Sequence, residues 1–156
     1  MDAKATLKES MTFIATADSG FEVRLDASKK TGGDESGFEA LELMAMSLAG
    51  CAGMDVISIL RKKQQAVTAF EVRVHAEQAG DYPRVFTSTS LEYVVSGHDI
   101  DEAALLRAIE LSATKYCPVQ AMLGRIVPMD VRYQILEAEG STTDRLVKEG
   151  AYKNKE

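Results

Sequence analysis

The two cysteines of this chain, Cys51 and Cys117, are the residues best suited to nucleophilic or redox chemistry. Cys51 lies in a run of small residues, 49–53, that lets a ligand or another backbone come close. In a helix, one face would carry four polar side chains, Ser47, Cys51, Asp55 and Ser58. The alternative is a packed, inert thiol, because free cysteine is among the most buried residue types. The aligned polar side chains favour a reactive Cys51, with Ser47 and Asp55 as possible lining residues. A carboxylate one helical turn from a thiol disfavours the thiolate form unless a cation neutralises it.

Cys117 directly precedes Pro118. Because proline is favoured at the first helical position, a short helix can begin there, with Cys117 at its entrance. A thiolate at a helix N-terminus is stabilised by the free backbone amides and the helix dipole. The sequence alone leaves a second interpretation open, a loop cysteine without a role.

The spacing of the remaining residues bears on two other cysteine chemistries, metal binding and hydrolysis. The chain contains no Cys-X-X-Cys motif, and His75 and His98 lack the spacing of metal ligands, so the sequence predicts no metal site. A cysteine–histidine hydrolase needs a base and an orienting acid near Cys51. The sequence places neither histidine there, and this class stays as an alternative.

The elements that must position these residues are predicted from periodicity and turn signals. Residues 11–16 and 21–25 predict a β-hairpin, and residues 26–37 predict a loop. A helix is predicted from about residue 39 to about residue 63. It is apolar on nearly every side, so we expect it to be covered all round by a sheet and a second helix or by another subunit.

The second half of the chain alternates further strands and helices. Strands are predicted at 70–77, 84–95 and 127–136. A helix capped by Asp101 is predicted to run to about Lys115, and a short helix to cover residues 119–125. We therefore expect a single domain over residues 1–136 and a polar C-terminal tail over residues 137–156.

Composition excludes several classes of function. A chain of 156 residues, 46% of them apolar, can build an ordinary core without a structural disulfide or metal. The net charge of −6 offers no basic surface for nucleic acid. The first residues lack a secretory signal, which predicts a reducing, cytoplasmic location. The apolar segment 41–60 carries Glu42 and Asp55, carboxylates that are costly in lipid, so no membrane span is predicted.

Two motifs carry a resemblance to a known family. The strings LELMAMSLAGCAGMDVISIL and KYCPVQAML resemble the cysteine motifs of the OsmC/Ohr family, in the expected order and separation. The resemblance spans about residues 21–133. It implies an α+β fold with antiparallel sheets around a long buried cysteine-bearing helix, and an intertwined homodimer with two active sites at the subunit interface.

The same resemblance implies a function and site residues. Cys51 matches the peroxidatic cysteine and Cys117 the resolving cysteine of a peroxidase that reduces organic hydroperoxides through a sulfenic acid and a disulfide. Arg24 is expected to keep the thiolate reactive and Glu42 to hold that arginine. No bound cofactor is implied, only an external dithiol reductant of the thioredoxin or lipoyl type. The alternatives are a Cys-dependent transferase or hydrolase and a non-catalytic ligand-binding dimer on the same scaffold.

Overall fold

A computed structural model describes residues 1–139 and 144–153 of the chain. These residues belong to two compact units, Met1–Met44 and Ala45–Glu156. Each unit contains one β-sheet, and a long helix, α1 (Ala40–Lys62), begins in the first unit and continues into the second. The predicted α+β class is confirmed.

The first unit is a three-stranded antiparallel sheet in the order β1 (Ala3–Glu9), β2 (Thr12–Ala17) and β3 (Glu22–Leu25). The predicted β2–β3 hairpin is confirmed, and its turn requires Gly20, whose φ of 79° is costly for other residues. Strand β1 was not predicted. Every one of its residues is exposed, so it lacks the alternation by which a half-buried strand is recognised.

The loop after β3 is organised around the carboxylate of Asp26. That carboxylate accepts hydrogen bonds from the Ser36 hydroxyl at 2.7 Å and from three backbone amides, those of Ala27, Asp34 and Ser36. These bonds, led by the one from the Ser36 hydroxyl, hold the pKa of Asp26 well below its usual range. A short 3₁₀ turn, Lys29–Thr31, lies within the same loop. The predicted loop is therefore ordered by one buried acid.

Replacing Asp26 by asparagine should lower the melting temperature at neutral pH, because the ionised carboxylate is the form that the loop stabilises. A depressed folded-state pKa adds stability above the unfolded value of about 3.9 and loses it as the pH falls below that value. Melting curves of wild type and Asp26→Asn should therefore differ most above about pH 5 and converge in acid. A difference that does not depend on pH would contradict this assignment.

The second unit contains a four-stranded sheet in the order β4 (Ala66–Gln78), β5 (Phe86–His98), β6 (Met129–Glu137) and β7 (Arg145–Tyr152). The β4–β5 and β6–β7 pairs are antiparallel, whereas β5 and β6 are parallel. The expectation of purely antiparallel sheets is thus wrong for this sheet. Two helices, α2 (Glu102–Leu111) and α3 (Pro118–Leu123), connect β5 to β6, and such a crossover returns the chain in the same direction.

Strand β7 lies where a polar tail was predicted. It pairs with β6, and Lys148 on it forms an ion pair with Glu102 at the start of α2. Most of its residues are exposed and several are charged, as is common for edge strands, so the pattern did not indicate a strand. Residues 140–143 and 154–156 of the predicted tail lie outside the described part of the chain. The assignment of residues 1–136 to a single domain stays a prediction.

Helix α1 presents one stripe to the core of the second unit. Leu48, Ala52, Val56 and Leu60, spaced four residues apart, are almost completely buried there. Met54 on another side of the helix is 69% exposed, so the expected burial on nearly every side is not found within one chain. By length and composition alone, α1 is long and apolar enough to cross a membrane, but one such helix is weak evidence for a membrane span. Its packing against the sheet identifies it as a core helix of this unit.

The segment between α2 and α3 differs from the predicted continuous helix. The Asp101 side chain caps α2 by accepting from the Ala103 amide, as predicted, but α2 ends at Leu111. A π-helical turn, Ser112–Tyr116, follows, and the Cys117 amide donates to the Ser112 carbonyl at 2.9 Å. Such turns are uncommon and frequently lie at functional sites. Cys117 is then the N-cap of α3, with Pro118 at its first position, which confirms the predicted helix start.

Candidate active site

The two cysteine sulfurs lie 3.0 Å apart although the residues are separated by 66 positions in the sequence. Cys51 is half-buried in the middle of α1, and Cys117 is buried at the start of α3. Both are free thiols. Since a disulfide bond is about 2.0 Å long, the sulfurs need to approach by only about 1 Å to form one. The two predicted redox cysteines are thus in contact within one unit of a single chain.

The Cys117 thiol donates a hydrogen bond to the Cys51 sulfur. Burial, followed by the hydrogen bond that its thiol donates to Cys51, raises the pKa of Cys117 to about 12. The Gln120 amide donates to the Cys117 sulfur at 3.4 Å and favours the anion, as the sequence predicted for a helix N-terminus. This effect is smaller than the effect of burial. Cys117 therefore stays protonated at neutral pH and donates a hydrogen bond to the Cys51 sulfur.

A small polar cluster accompanies the cysteines. The Ser112 hydroxyl lies 3.3 Å from Asp55 Oδ2 and 3.4 Å from Gln120 Oε1, and its single hydrogen can serve one of these acceptors at a time. Ser112 and Gln120 are both buried. The sequence did not identify either residue, although Gln120 lies within the second cysteine motif and Ser112 begins the π-helical turn. Asp55 and Cys51 are the members of the predicted polar stripe that contact this cluster or the second cysteine.

The Tyr93 hydroxyl is a further polar group of the site that the sequence did not single out. The side chain is completely buried on β5, and its ring stacks on Phe70 with centroids 6.4 Å apart. Its hydroxyl has no hydrogen-bond partner of ordinary geometry among the described residues, although the Ser112 hydroxyl is near enough to lower its pKa. Burial, and then the negative charge of an ionised Cys117, raise the pKa of Tyr93. A buried hydroxyl without a partner is rare, and a bound water molecule or ion is one explanation for it.

Two serines of the predicted stripe lie outside this cluster. Ser47 and Ser58 are exposed, and neither hydroxyl forms a hydrogen bond within residues 1–139 and 144–153. Both serines have the helical spacing from Cys51 that was predicted. The buried side of α1, however, is the one that carries Ala52 and Val56. The role of Ser47 as a lining residue stays a prediction.

Arg24 and Glu42 both lie in the first unit. The Arg24 guanidinium donates to the Ser36 hydroxyl from Nε at 3.1 Å and from Nη2 at 3.0 Å. Ser36 in turn donates to Asp26, so these two residues, which the sequence did not suggest, hold the arginine. Glu42 accepts from the Glu39 amide at 2.8 Å at the start of α1. Arg24 and Glu42 form no ion pair with each other within the described residues, and their proposed roles stay predictions.

Comparison with known proteins gives this arrangement a family. The sequence pattern of the family described as OsmC-like protein matches residues 32–132. Protein YhfA of Escherichia coli strain K12 is 36% identical over 138 residues, which cover 88% of this chain and 100% of that protein. A hypothetical protein from Aquifex aeolicus VF5, of known structure, is 27% identical, covers 88% of this chain and 97% of its own, and superposes with a TM-score of 0.77.

A more distant structure shares the fold. The organic hydroperoxide resistance protein OsmC from Legionella pneumophila is 12% identical, with a TM-score of 0.64 over 86% of this chain and 94% of its own. The fold and the paired thiols thus define a small α+β dithiol protein. The chain belongs to the OsmC-like family, and the resemblance predicted from its two cysteine motifs is confirmed.

Proposed function

We propose that this protein is a thiol-dependent peroxidase that reduces organic hydroperoxides. The observation that supports the proposal most directly is the 3.0 Å contact between Cys51 and Cys117, in which Cys117 is the proton donor. Only a thiolate attacks a peroxide efficiently, so the sulfur that accepts the hydrogen bond is the better nucleophile and the protonated donor is the poorer one. Cys51 is then the peroxidatic cysteine and Cys117 the resolving one. Arg24 and Glu42 are proposed to support the Cys51 thiolate, as family resemblance implies.

The reaction proceeds in two steps on these sulfurs. The Cys51 thiolate attacks the terminal oxygen of the hydroperoxide, so that an S–O bond forms and the O–O bond breaks. The alkoxide takes a proton from solvent and leaves as the alcohol. Cys117 then attacks the sulfur of the Cys51 sulfenic acid, an S–S bond forms, and the hydroxyl leaves as water with the Cys117 proton.

Turnover requires a second thiol couple. An external dithiol of the thioredoxin or lipoyl type would reopen the disulfide by thiol–disulfide exchange, and no bound cofactor takes part in the reaction. The disulfide would persist only transiently in a reducing compartment, which agrees with a cytoplasmic location.

A cysteine–histidine hydrolase is less well supported. The chain has two histidines, and each lies within hydrogen-bond distance of a glutamate on the sheet rather than in contact with a cysteine. His75 lies 2.7 Å from Glu77, and His98 lies 3.3 Å from Glu137. Neither supplies the base that such an enzyme needs beside its nucleophile. The choice of a peroxidase over a hydrolase or a binding protein therefore depends on the second cysteine.

The substrate class follows from the side chains beside Cys51. Leu48 is buried in the core and cannot bind substrate, but Met54, three residues after Cys51, is exposed on the same part of the helix. Stopped-flow oxidation of the reduced protein should be at least about tenfold faster with cumene hydroperoxide than with hydrogen peroxide, the scale that apolar contacts give. Equal rates, or faster reaction with hydrogen peroxide, would contradict the proposed substrate class.

The proposal includes an obligate homodimer. A single chain leaves several large apolar side chains exposed in the second unit, among them Met54, Met122 and Ile126, which are 69%, 63% and 77% exposed. Exposed apolar side chains that lie together on a surface mark association sites, and a second copy of the chain would cover these. Sedimentation at micromolar concentration should therefore give twice the chain mass of 17.0 kDa. A stable, folded monomer would exclude the dimer.

A further inference from the structure

Three potential metal ligands converge at the candidate active site. One donor atom each from Cys51, Asp55 and Cys117 lie within 4.8 Å of one another. Cys51 and Asp55 are one turn apart on α1, and Cys117 is contributed by the start of α3. Two thiolates and a carboxylate are ligands that Zn²⁺ binds in proteins. The sequence predicted no metal site because it lacks a Cys-X-X-Cys motif and metal-like histidine spacing, whereas the fold brings together residues that are distant in the sequence.

The charges of this cluster favour a cation. When ionised, the three side chains carry negative charge, and none of the ion pairs within residues 1–139 and 144–153 includes Asp55. Its one hydrogen bond there comes from the neutral Ser112 hydroxyl. A partly buried carboxylate beside two thiols is stabilised by a positive charge. A divalent cation between the three donors would supply it.

The Tyr93 hydroxyl is a second, independent indication of a ligand. It is completely buried, it lacks a hydrogen-bond partner of ordinary geometry within the described part of the chain, and it lies within electrostatic reach of Cys117, Asp55 and Cys51. Zinc sites with three protein ligands keep a fourth position for water. A water molecule in that position would give the Tyr93 hydroxyl an acceptor.

We propose that the reduced site binds Zn²⁺, or a similar thiophilic divalent cation, through Cys51, Asp55 and Cys117. Zinc–sulfur bonds of about 2.3 Å place two sulfurs of a tetrahedral site about 3.8 Å apart, whereas a disulfide needs about 2.0 Å. The distance of 3.0 Å between the two sulfurs lies between these values. A small separation of the sulfurs would allow metal binding, a small approach would allow the disulfide, and the two states exclude each other.

A regulatory consequence rests on the proposed peroxidase function. Bound metal occupies the Cys51 sulfur and keeps it from hydroperoxide. Oxidation releases the metal: two coordinated thiolates, one hydroperoxide and two protons give a disulfide, an alcohol, water and free Zn²⁺. The hydroperoxide accepts the two electrons that the thiolates lose. Bound metal would thus slow oxidation of the reduced site, and the metal would be released once hydroperoxide has oxidised the thiolates.

Cobalt binding tests the site without any peroxide. Tag-free, reduced full-length protein titrated with Co²⁺ should develop sulfur-to-cobalt charge-transfer bands and the visible bands of tetrahedral Co²⁺, saturating at one ion per chain and displaced by Zn²⁺. Cys51→Ser and Cys117→Ser should each lose the two-thiolate spectrum. Asp55→Asn should weaken binding by about tenfold or more. Asp130→Asn, which removes an exposed carboxylate paired with Arg132, is the matched control and should bind like wild type.

The outcomes separate the metal site from the peroxidase. Absence of charge-transfer bands in the reduced wild type, or equal affinity of Asp55→Asn and wild type, would overturn the proposed site. Because a variant can fail to fold, alkylation of Cys51 in the wild type provides a second measurement, and stoichiometric Zn²⁺ should slow it. An unchanged alkylation rate would also overturn the site. Metal binding without peroxide reduction would support the site and reject the peroxidase, and peroxide reduction without metal binding would do the reverse.

Discussion

Replacing Cys51 by serine should abolish the reaction with organic hydroperoxide, including the first turnover. The serine hydroxyl is not ionised at neutral pH, and the remaining thiol, Cys117, is buried, which raises its pKa and keeps it protonated. Intact-mass spectrometry after one equivalent of peroxide should therefore find Cys51→Ser unchanged, whereas the wild type should lose two hydrogens as the disulfide forms.

A matched control lies on the same helix. Ser58 is exposed on α1, so Ser58→Ala keeps the helix and both cysteines and should react like the wild type. Melting curves of the two variants would show whether loss of reaction reflects loss of the fold. If folded Cys51→Ser consumes peroxide at the wild-type rate, Cys51 is not the peroxidatic cysteine. If the wild type does not react either, this scaffold performs another chemistry.

The sequence predicted the elements that carry a clear pattern. Strand β4 alternates between exposed and half-buried residues, and α2 begins at a capping aspartate, Asp101, so both were identified. Strands β1 and β7 escaped prediction because nearly all of their residues are exposed. The parallel pairing of β5 and β6 also escaped prediction: local patterns predicted the two helices between these strands, but no local pattern encodes which strands pair.

The candidate site was predicted in part, for a similar reason. Local composition marked Cys51, Asp55 and Cys117, since small residues, helical spacing and a following proline are visible in the sequence. The contacts of Cys117 with Cys51 and of Asp55 with Ser112 are made across the fold and cannot be read from spacing. The position of Cys117 at a helix start predicted a stabilised anion. Burial has the larger effect on its pKa and raises it, and burial depends on the complete core, which the local sequence does not show.

The balance between these effects suits a resolving cysteine. A thiol that is buried and protonated is protected from peroxide, yet 3.0 Å from Cys51 it is already positioned to attack a sulfenic acid. The Gln120 amide, which donates to the Cys117 sulfur, stabilises the thiolate that must form during that attack. Under the proposed peroxidase function, burial would keep Cys117 slow toward peroxide, whereas its contacts with Cys51 and the Gln120 amide would favour its attack on the oxidised Cys51.

Replacing Cys117 by serine should leave the first reaction intact and prevent the second. The Cys51 sulfur stays available to hydroperoxide, but no thiol remains beside it to form the disulfide. Cys117→Ser should consume about one equivalent of peroxide per chain and then stall, and its intact mass should rise by one oxygen as the sulfenic acid. With excess peroxide and a dithiol reductant present, its steady-state rate should fall well below that of the wild type.

The stalled species gives this prediction its sharpest test. A sulfenic acid without a resolving thiol is open to further oxidation, so added peroxide should carry Cys117→Ser on to the sulfinic and sulfonic acids, whereas the wild type should stop at the disulfide. A reagent selective for sulfenic acids should label Cys51 in this variant and not in the wild type. Ser112, whose hydroxyl lies within hydrogen-bond distance of Asp55 and Gln120, offers a control, because Ser112→Ala keeps both thiols and should still form the disulfide. Cys117→Ser that turns over like the wild type would mean that Cys117 does not resolve the oxidised enzyme and that reductant attacks Cys51 directly.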